Sequence, residues 1–141
     1  MRASLCLIVQ NAARLPRVMS NRPPLSKQST ARSRGAAGEA QALVFLQHQG
    51  LLLIEKNYAC RWGEIDLILR ERLTLVFVEV RQRSSQHFGG AAASVTPAKQ
   101  GRLWRTAQHY LQAYASPPAC RFDLLAIDGQ DIQWLKNILS L

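Results

Sequence analysis

Aspartate and glutamate are absent from the first 34 residues of this 141-residue chain, whereas seven cations are present there: Arg2, Arg14, Arg17, Arg22, Lys27, Arg32 and Arg34. The remainder carries 11 cations against 9 acids, so it contributes +2 of the total +9. Basic character therefore belongs mainly to a leader, residues 1–34, and overall charge is no argument for nucleic-acid binding by the body, residues 35–141. Long apolar runs are missing too. The stretch Ala3 to Val9 falls far short of the roughly 20 residues that a membrane-spanning helix needs, and no integral membrane protein is expected. No small-x-small cleavage pattern follows that stretch closely, which disfavours a secretory signal. The leader reads as a flexible basic arm or as translation from too early a start, with Met19 as the later one. An organellar transit peptide ranks below these, because Pro16, Pro23 and Pro24 break any amphipathic helix.

Cysteine is scarce: Cys6, Cys60 and Cys120 are odd in number and lie 54 and 60 residues apart. That spacing makes neither a disulfide framework nor a zinc motif, and the cytoplasm is the expected compartment. His48, His87 and His109 are equally dispersed, which leaves a His-based metal or nucleophile site without support. A phosphate-cradling glycine loop, a nucleophile elbow and a paired-histidine metal motif are all absent.

What is present begins at Gly35. Residues Gly35 to Leu46 are rich in Ala and Leu and predict a helix closed by Gly50, with Ala40, Leu43 and Val44 on its apolar face and Glu39 one residue from that stripe. Leu51 to Asn57 reads as a short strand. Two runs then alternate with period two, Glu64 to Arg70 and Leu73 to Arg81, separated only by Glu71-Arg72, so a hairpin is the economical connection. Residues 84 to 95 have no period and contain Gly89-Gly90, which predicts a flexible loop. Thr96-Pro97 starts a second helix, reaching about Ala115, with Leu103, Trp104, Ala107, Tyr110, Leu111 and Tyr114 on one face and Lys99, Arg102 and Thr106 on another. Arg121 to Asp128 and Asp131 to Lys136 close the chain as strands around Gly129. The order α-β-β-β-α-β-β predicts an α/β fold, a mixed sheet flanked by helices.

The chemistry-bearing feature is acid inside apolar strands. Glu64 and Asp66 share one strand face, and Glu79 and Arg81 share a face of the next. A carboxylate between Val78 and Val80 is costly to bury unless it is paired or holds a cation. Adjacent strands can bring Asp66 and Glu79 together, and Mg²⁺ takes one or two carboxylates plus waters and phosphate oxygens. That is the minimal equipment for metal-assisted phosphodiester hydrolysis. An internal ion-pair network, with Arg81 neutralising Glu79 or Asp66, fits the spacing equally well.

Five ordered blocks carry a family resemblance: Gly38-Glu39, Cys60 to Ile68 (CRWGEIDLI), Leu75 to Ser84 (LVFVEVRQRS), Val95 to Lys99 (VTPAK) and Cys120 to Asp123 (CRFD). Together they resemble the YraN-like family, across about residues 35 to 137. The resemblance implies a restriction-endonuclease-like fold related to Holliday junction resolvases, a D-(x)n-(D/E)-x-K site and a nucleic-acid substrate. Position by position, Asp66 matches the first metal-binding acid, Glu79 the second, Glu39 a helix-borne supporting acid, and Arg81 the position usually held by lysine. Arginine stays protonated and can only orient and stabilise charge there. Arg83, Lys99 and Arg102 are phosphate-contact candidates around the glycine-rich loop, Glu64 is a second-rank third ligand, and Trp62 and Phe88 are candidate stacking residues. The expectation is a Mg²⁺- or Mn²⁺-dependent endonuclease acting on structured or branched DNA, with a homodimer implied by analogy. Its alternative is a catalytically silent nucleic-acid-binding or adaptor module on the same fold.

Overall fold

The computed structural model describes residues 31–83 and 95–139. The elements are α1 (Ala31–His48), β1 (Leu52–Cys60), β2 (Gly63–Glu71), β3 (Thr74–Arg83), α2 (Pro97–Leu111), β4 (Cys120–Asp128) and β5 (Asp131–Leu135). This is the expected α-β-β-β-α-β-β order. The five strands form one sheet in sequence order, with β1, β2 and β3 pairing antiparallel, β3 and β4 parallel, and β4 and β5 antiparallel. The parallel step needs a crossover, and α2 supplies it. Most of the expected leader, residues 1–30, and all but the last residue of the expected flexible loop, residues 84–95, lie outside the described residues; that last residue, Val95, is not loop surface but buried in the core beside α2.

Two apolar layers sandwich the sheet. Ile68, Phe77, Phe122 and Leu124 pack on Leu103, Ala107 and Tyr110 of α2, while Leu67, Val76, Val78, Leu125 and Ile127 pack on Ala42 and Leu46 of α1. The buried stripe of α1 is therefore Gly38, Ala42 and Leu46, whereas Ala40 and Val44 are exposed. This corrects the predicted face. The sheet takes the four-residue stripe whose glycine permits close approach, since a Cβ at Gly38 would stand 3.3 Å from the Gln82 side chain. Thr106 is corrected likewise. It is fully buried with its hydroxyl on the Arg102 carbonyl at 2.8 Å, so its polar group is satisfied within the helix.

Local chemistry sets the element ends. At Gly50, φ +89°, the Leu51 N–H donates to Leu46 O and the Gly50 N–H to Gln47 O, a Schellman ending with Leu51 buried against the same core as Leu46. The Thr96 hydroxyl accepts the Lys99 N–H at 3.3 Å, and Pro97 opens α2. The β2–β3 turn is Arg72-Leu73, one residue later than predicted. Arg72 takes φ +56° there, and Glu71 pairs with Thr74.

Candidate carboxylate site between diverging strands

The central strands separate at one end. Pairing of β2 with β3 stops at Leu67 and Val78, but β1 follows β2 to Gly63 and β4 follows β3 to Arg83. Asp66 and Glu79 are the next residues on either side of that parting. The Val80 N–H, beyond the ladder, donates instead to Asp66 Oδ2 at 2.7 Å. A carboxylate here replaces a missing backbone acceptor, which is why an acid is tolerated in an apolar strand.

Glu79 is 6% exposed. Its Oε1 lies 2.5 Å from Lys99 Nζ and 3.3 Å from Arg81 Nε. The Arg81 contact is an ion pair without a hydrogen bond: Arg81 Nε is buried and has no acceptor among the described residues. Lys99 sits in the first turn of α2, so the helix start fixed by Thr96 and Pro97 aims an ammonium at a sheet carboxylate. Sequence spacing assigned Lys99 to phosphate, because the contact between helix and strand depends on packing.

Burial, then the neighbouring Glu79 carboxylate, push the pKa of Asp66 up to about 7. Glu39 adds to that push, while the Val80 N–H and the more distant Lys99 act against it. Glu39 comes from α1, placed by the close contact of Gly38 with Gln82. The structure thus gathers Asp66, Glu79, Glu39, Arg81 and Lys99 from four elements. Glu64 is exposed and lines a cleft of about 470 Å³ with Cys60, Gly63, Lys99 and Arg102. Arg102 is exposed on α2. Arg83 ends β3, but its side chain, like His87 and Phe88, lies outside the described residues.

Does this donor set fit a divalent cation? Among the described residues, no group of three or more His, Cys, Asp or Glu side chains is gathered as a metal cage. Two neighbouring carboxylates, Asp66 half-buried and Glu79 buried, suit Mg²⁺ or Mn²⁺, which take one or two carboxylates plus waters and phosphate oxygens. Burial and then the neighbouring Glu79 carboxylate raise Asp66, and a cation would offset both, while Arg81 Nε beside Glu79 lacks a hydrogen-bond acceptor among the described residues. The residues fit.

Asp123 shows the opposite solution. It is 1% exposed, and its carboxylate accepts Arg121 Nε at 3.0 and 3.1 Å, Trp134 Nε1 at 3.0 Å and the Asn137 N–H at 2.9 Å. Arg121 continues to Glu71 at 2.5 Å, lowering the pKa of that carboxyl. This is a closed structural network. Cys60 and Cys120 are free, and Tyr58 and His109 share a 2.6 Å hydrogen bond.

Fold and site define a small mixed-sheet α/β protein with paired carboxylates where two central strands part. Residues 38–127 match the uncharacterised protein family UPF0102, and the chain belongs to that family, as its YraN-like blocks imply. A UPF0102 protein of Janthinobacterium sp. (strain Marseille) is 53% identical over 127 residues, covering 90% of this chain and 98% of that relative. One from Nitrosomonas europaea is 56% identical over 112 residues, covering 77% and 95%. Another from Cupriavidus pinatubonensis is 51% identical over 117 residues, covering 82% and 92%. Among the described residues no helix is long and apolar enough to cross a membrane.

Proposed function

We propose that this chain is a Mg²⁺- or Mn²⁺-dependent endonuclease that hydrolyses phosphodiester bonds in structured or branched DNA. The observation that supports this reading most is the Asp66–Glu79 carboxylate pair at the strand parting, with Lys99 and Arg81 beside Glu79. Asp66 and Glu79 hold the cation and Glu39 supports the charge around it. When bound, the cation activates a water and neutralises charge at the leaving oxygen. Arg81, whose side chain is 37% exposed, holds a nonbridging phosphate oxygen through its guanidinium and stabilises the negative charge that grows there. Lys99 supplies the ammonium that Arg81 lacks as a point charge, and its contact keeps the Glu79 carboxylate from rotating away. The restriction-endonuclease-like relationship and a junction-resolving dimer belong to the same proposal.

A second reading is a catalytically silent nucleic-acid-binding or adaptor module. It is favoured by the commitment of Glu79 Oε1 to two cations already in the protein. Incubating junction, flap, single-stranded and duplex DNA with Mg²⁺ or Mn²⁺ separates the two. Cleavage by the native chain that Asp66→Asn and Glu79→Gln each reduce at least 100-fold is expected. Cleavage surviving both substitutions overturns the site assignment, whereas binding without turnover, and without a calorimetric signal for either metal, selects the silent module.

A further inference from the structure

The turn joining β1 to β2 and the exposed edge of α2 carry a second constellation that the carboxylate chemistry does not use. Trp62, at the tip of that turn, is 38% exposed. The Arg61 guanidinium lies 4.6 Å from its ring centroid and the Arg105 guanidinium, from α2, 5.6 Å. Neither arginine, nor Arg102, has a carboxylate within 4.0 Å among the described residues. Bringing two unneutralised guanidiniums to one ring costs repulsion that the aromatic quadrupole offsets only in part, so the arrangement favours an incoming anion.

Its placement is fixed by packing. Gly63, at φ +147°, lies so close to α2 that a Cβ there would stand 3.2 Å from Thr106 Oγ1 and 3.9 Å from Arg102 Cβ. That contact sets the turn beside the helix and makes the cleft of about 470 Å³ whose wall includes Gly63, Lys99 and Arg102. Lys99, Arg102 and Arg105 recur every third residue of α2. From Lys99 to Arg105 the axial rise is ~9 Å, which one nucleic-acid strand covers in roughly two to three nucleotides at 3.4 Å each. One end of this basic edge touches Glu79, and the other meets Trp62.

We infer that Trp62, Arg61, Arg102 and Arg105 form a binding track for an unpaired nucleic-acid strand, with Trp62 stacking on a splayed base while the arginines hold the flanking phosphates. Once the arginines turn from the ring to the phosphates, the indole at the turn tip stacks only on a base whose own face is free, and duplex bases are already stacked on their neighbours. The track's direction, toward Asp66 and Glu79, rests on the endonuclease reading; the binding itself does not. It gives that reading a substrate class: DNA containing a single-stranded or unstacked segment next to the cleaved bond.

The test measures binding, without divalent ions, of a fluorescein-labelled oligothymidylate of 12 nucleotides and of a mixed-sequence duplex of equal length, using the full chain. Trp62→Ala is expected to weaken oligothymidylate binding about tenfold and duplex binding less than about twofold. Trp62→Phe, which keeps a stacking face, is expected to recover most of the affinity, and Arg105→Ala to reduce the salt slope on oligothymidylate by about 1. Unchanged oligothymidylate binding by Trp62→Ala, or equal loss on the duplex, overturns the track. Asp66→Asn separates the two proposals. A chain that cleaves no DNA yet shows Trp62-dependent binding retains the track and loses the nuclease; one that cleaves, with Asp66→Asn inactive and Trp62→Ala binding like the native chain, retains the nuclease and loses the track.

Discussion

Asp66 and Asp123 are both acids inside apolar strands, yet Asp66 accepts a single backbone N–H whereas Asp123 is ringed by donors. The folded-state pKa of Asp66 lies at about 7, above its ordinary 3.8. Between those values the folded state holds a proton that the unfolded chain releases, so stability falls as pH rises through that window, and the penalty persists above it. Asn at position 66 removes the charge and keeps an acceptor for the Val80 N–H. Asp66→Asn is expected to raise stability at pH 8 by about 1–3 kcal/mol, allowing for screening of a half-buried group, and to flatten the decline between pH 4 and 7. Urea melts across that range check it. Saturating Mn²⁺ at pH 8 is expected to stabilise the native chain and not the variant, since only a folded carboxylate pair binds the ion. Asp123→Asn is expected to cost about 3 kcal/mol in the same melts, because it leaves the half-buried Arg121 with Glu71 as its one remaining charge partner among the described residues and disturbs the donors around a buried acceptor. Alternation and acid placement made Asp66 and Glu79 legible as candidates in the sequence, but not the sign of these effects. That sign depends on which donors reach each carboxylate: one N–H for Asp66, against a guanidinium, an indole and a backbone N–H for Asp123.

Elements were legible where their chemistry is local. Thr96-Pro97 and Gly50 mark helix ends because capping and positive φ are decided within a few residues, and the structure places helix boundaries beside both. Thr96→Ala and Gly50→Ala are each expected to lower stability by about 1 kcal/mol. What helix periodicity could not show is which stripe of α1 meets the sheet, since Ala40 and Ala42 are equally apolar and the choice is made by the Gly38–Gln82 contact. The parting of β2 from β3 was illegible for a related reason: both strands keep their alternation past the last ladder pair. Gly63 belongs to this scale as well. A side chain there meets both a strained φ and the Thr106 hydroxyl, so Gly63→Ala is expected to cost more than Gly50→Ala and to displace Trp62 from α2. A drop in oligothymidylate affinity beyond the loss in stability measured by thermal melts checks that coupling.

Across the whole molecule, the charge that first suggests a nucleic-acid protein and the residues argued to contact DNA lie in different places. Arg2, Arg14, Arg17, Arg22 and Lys27 precede α1, whereas Arg61, Lys99, Arg102 and Arg105 line one side of a body whose net charge is only +2 over residues 35–141. Phosphate contacts by a cation without a fixed place and by a positioned one differ in general in what they select. The first adds affinity for any polyanion and steepens its salt dependence, while the second adds affinity only where the strand fits. A chain beginning at Ala31 keeps the α1 face, the sheet and both proposed sites. It is expected to unfold within about 1 kcal/mol of the full chain, to bind duplex DNA more weakly below 0.1 M salt, and to retain the tenfold effect of Trp62→Ala on oligothymidylate. Salt titrations of both chains on both DNAs make the comparison. If shortening abolishes oligothymidylate binding at every salt concentration, the affinity resides in the first 30 residues and the folded body is not the binding surface.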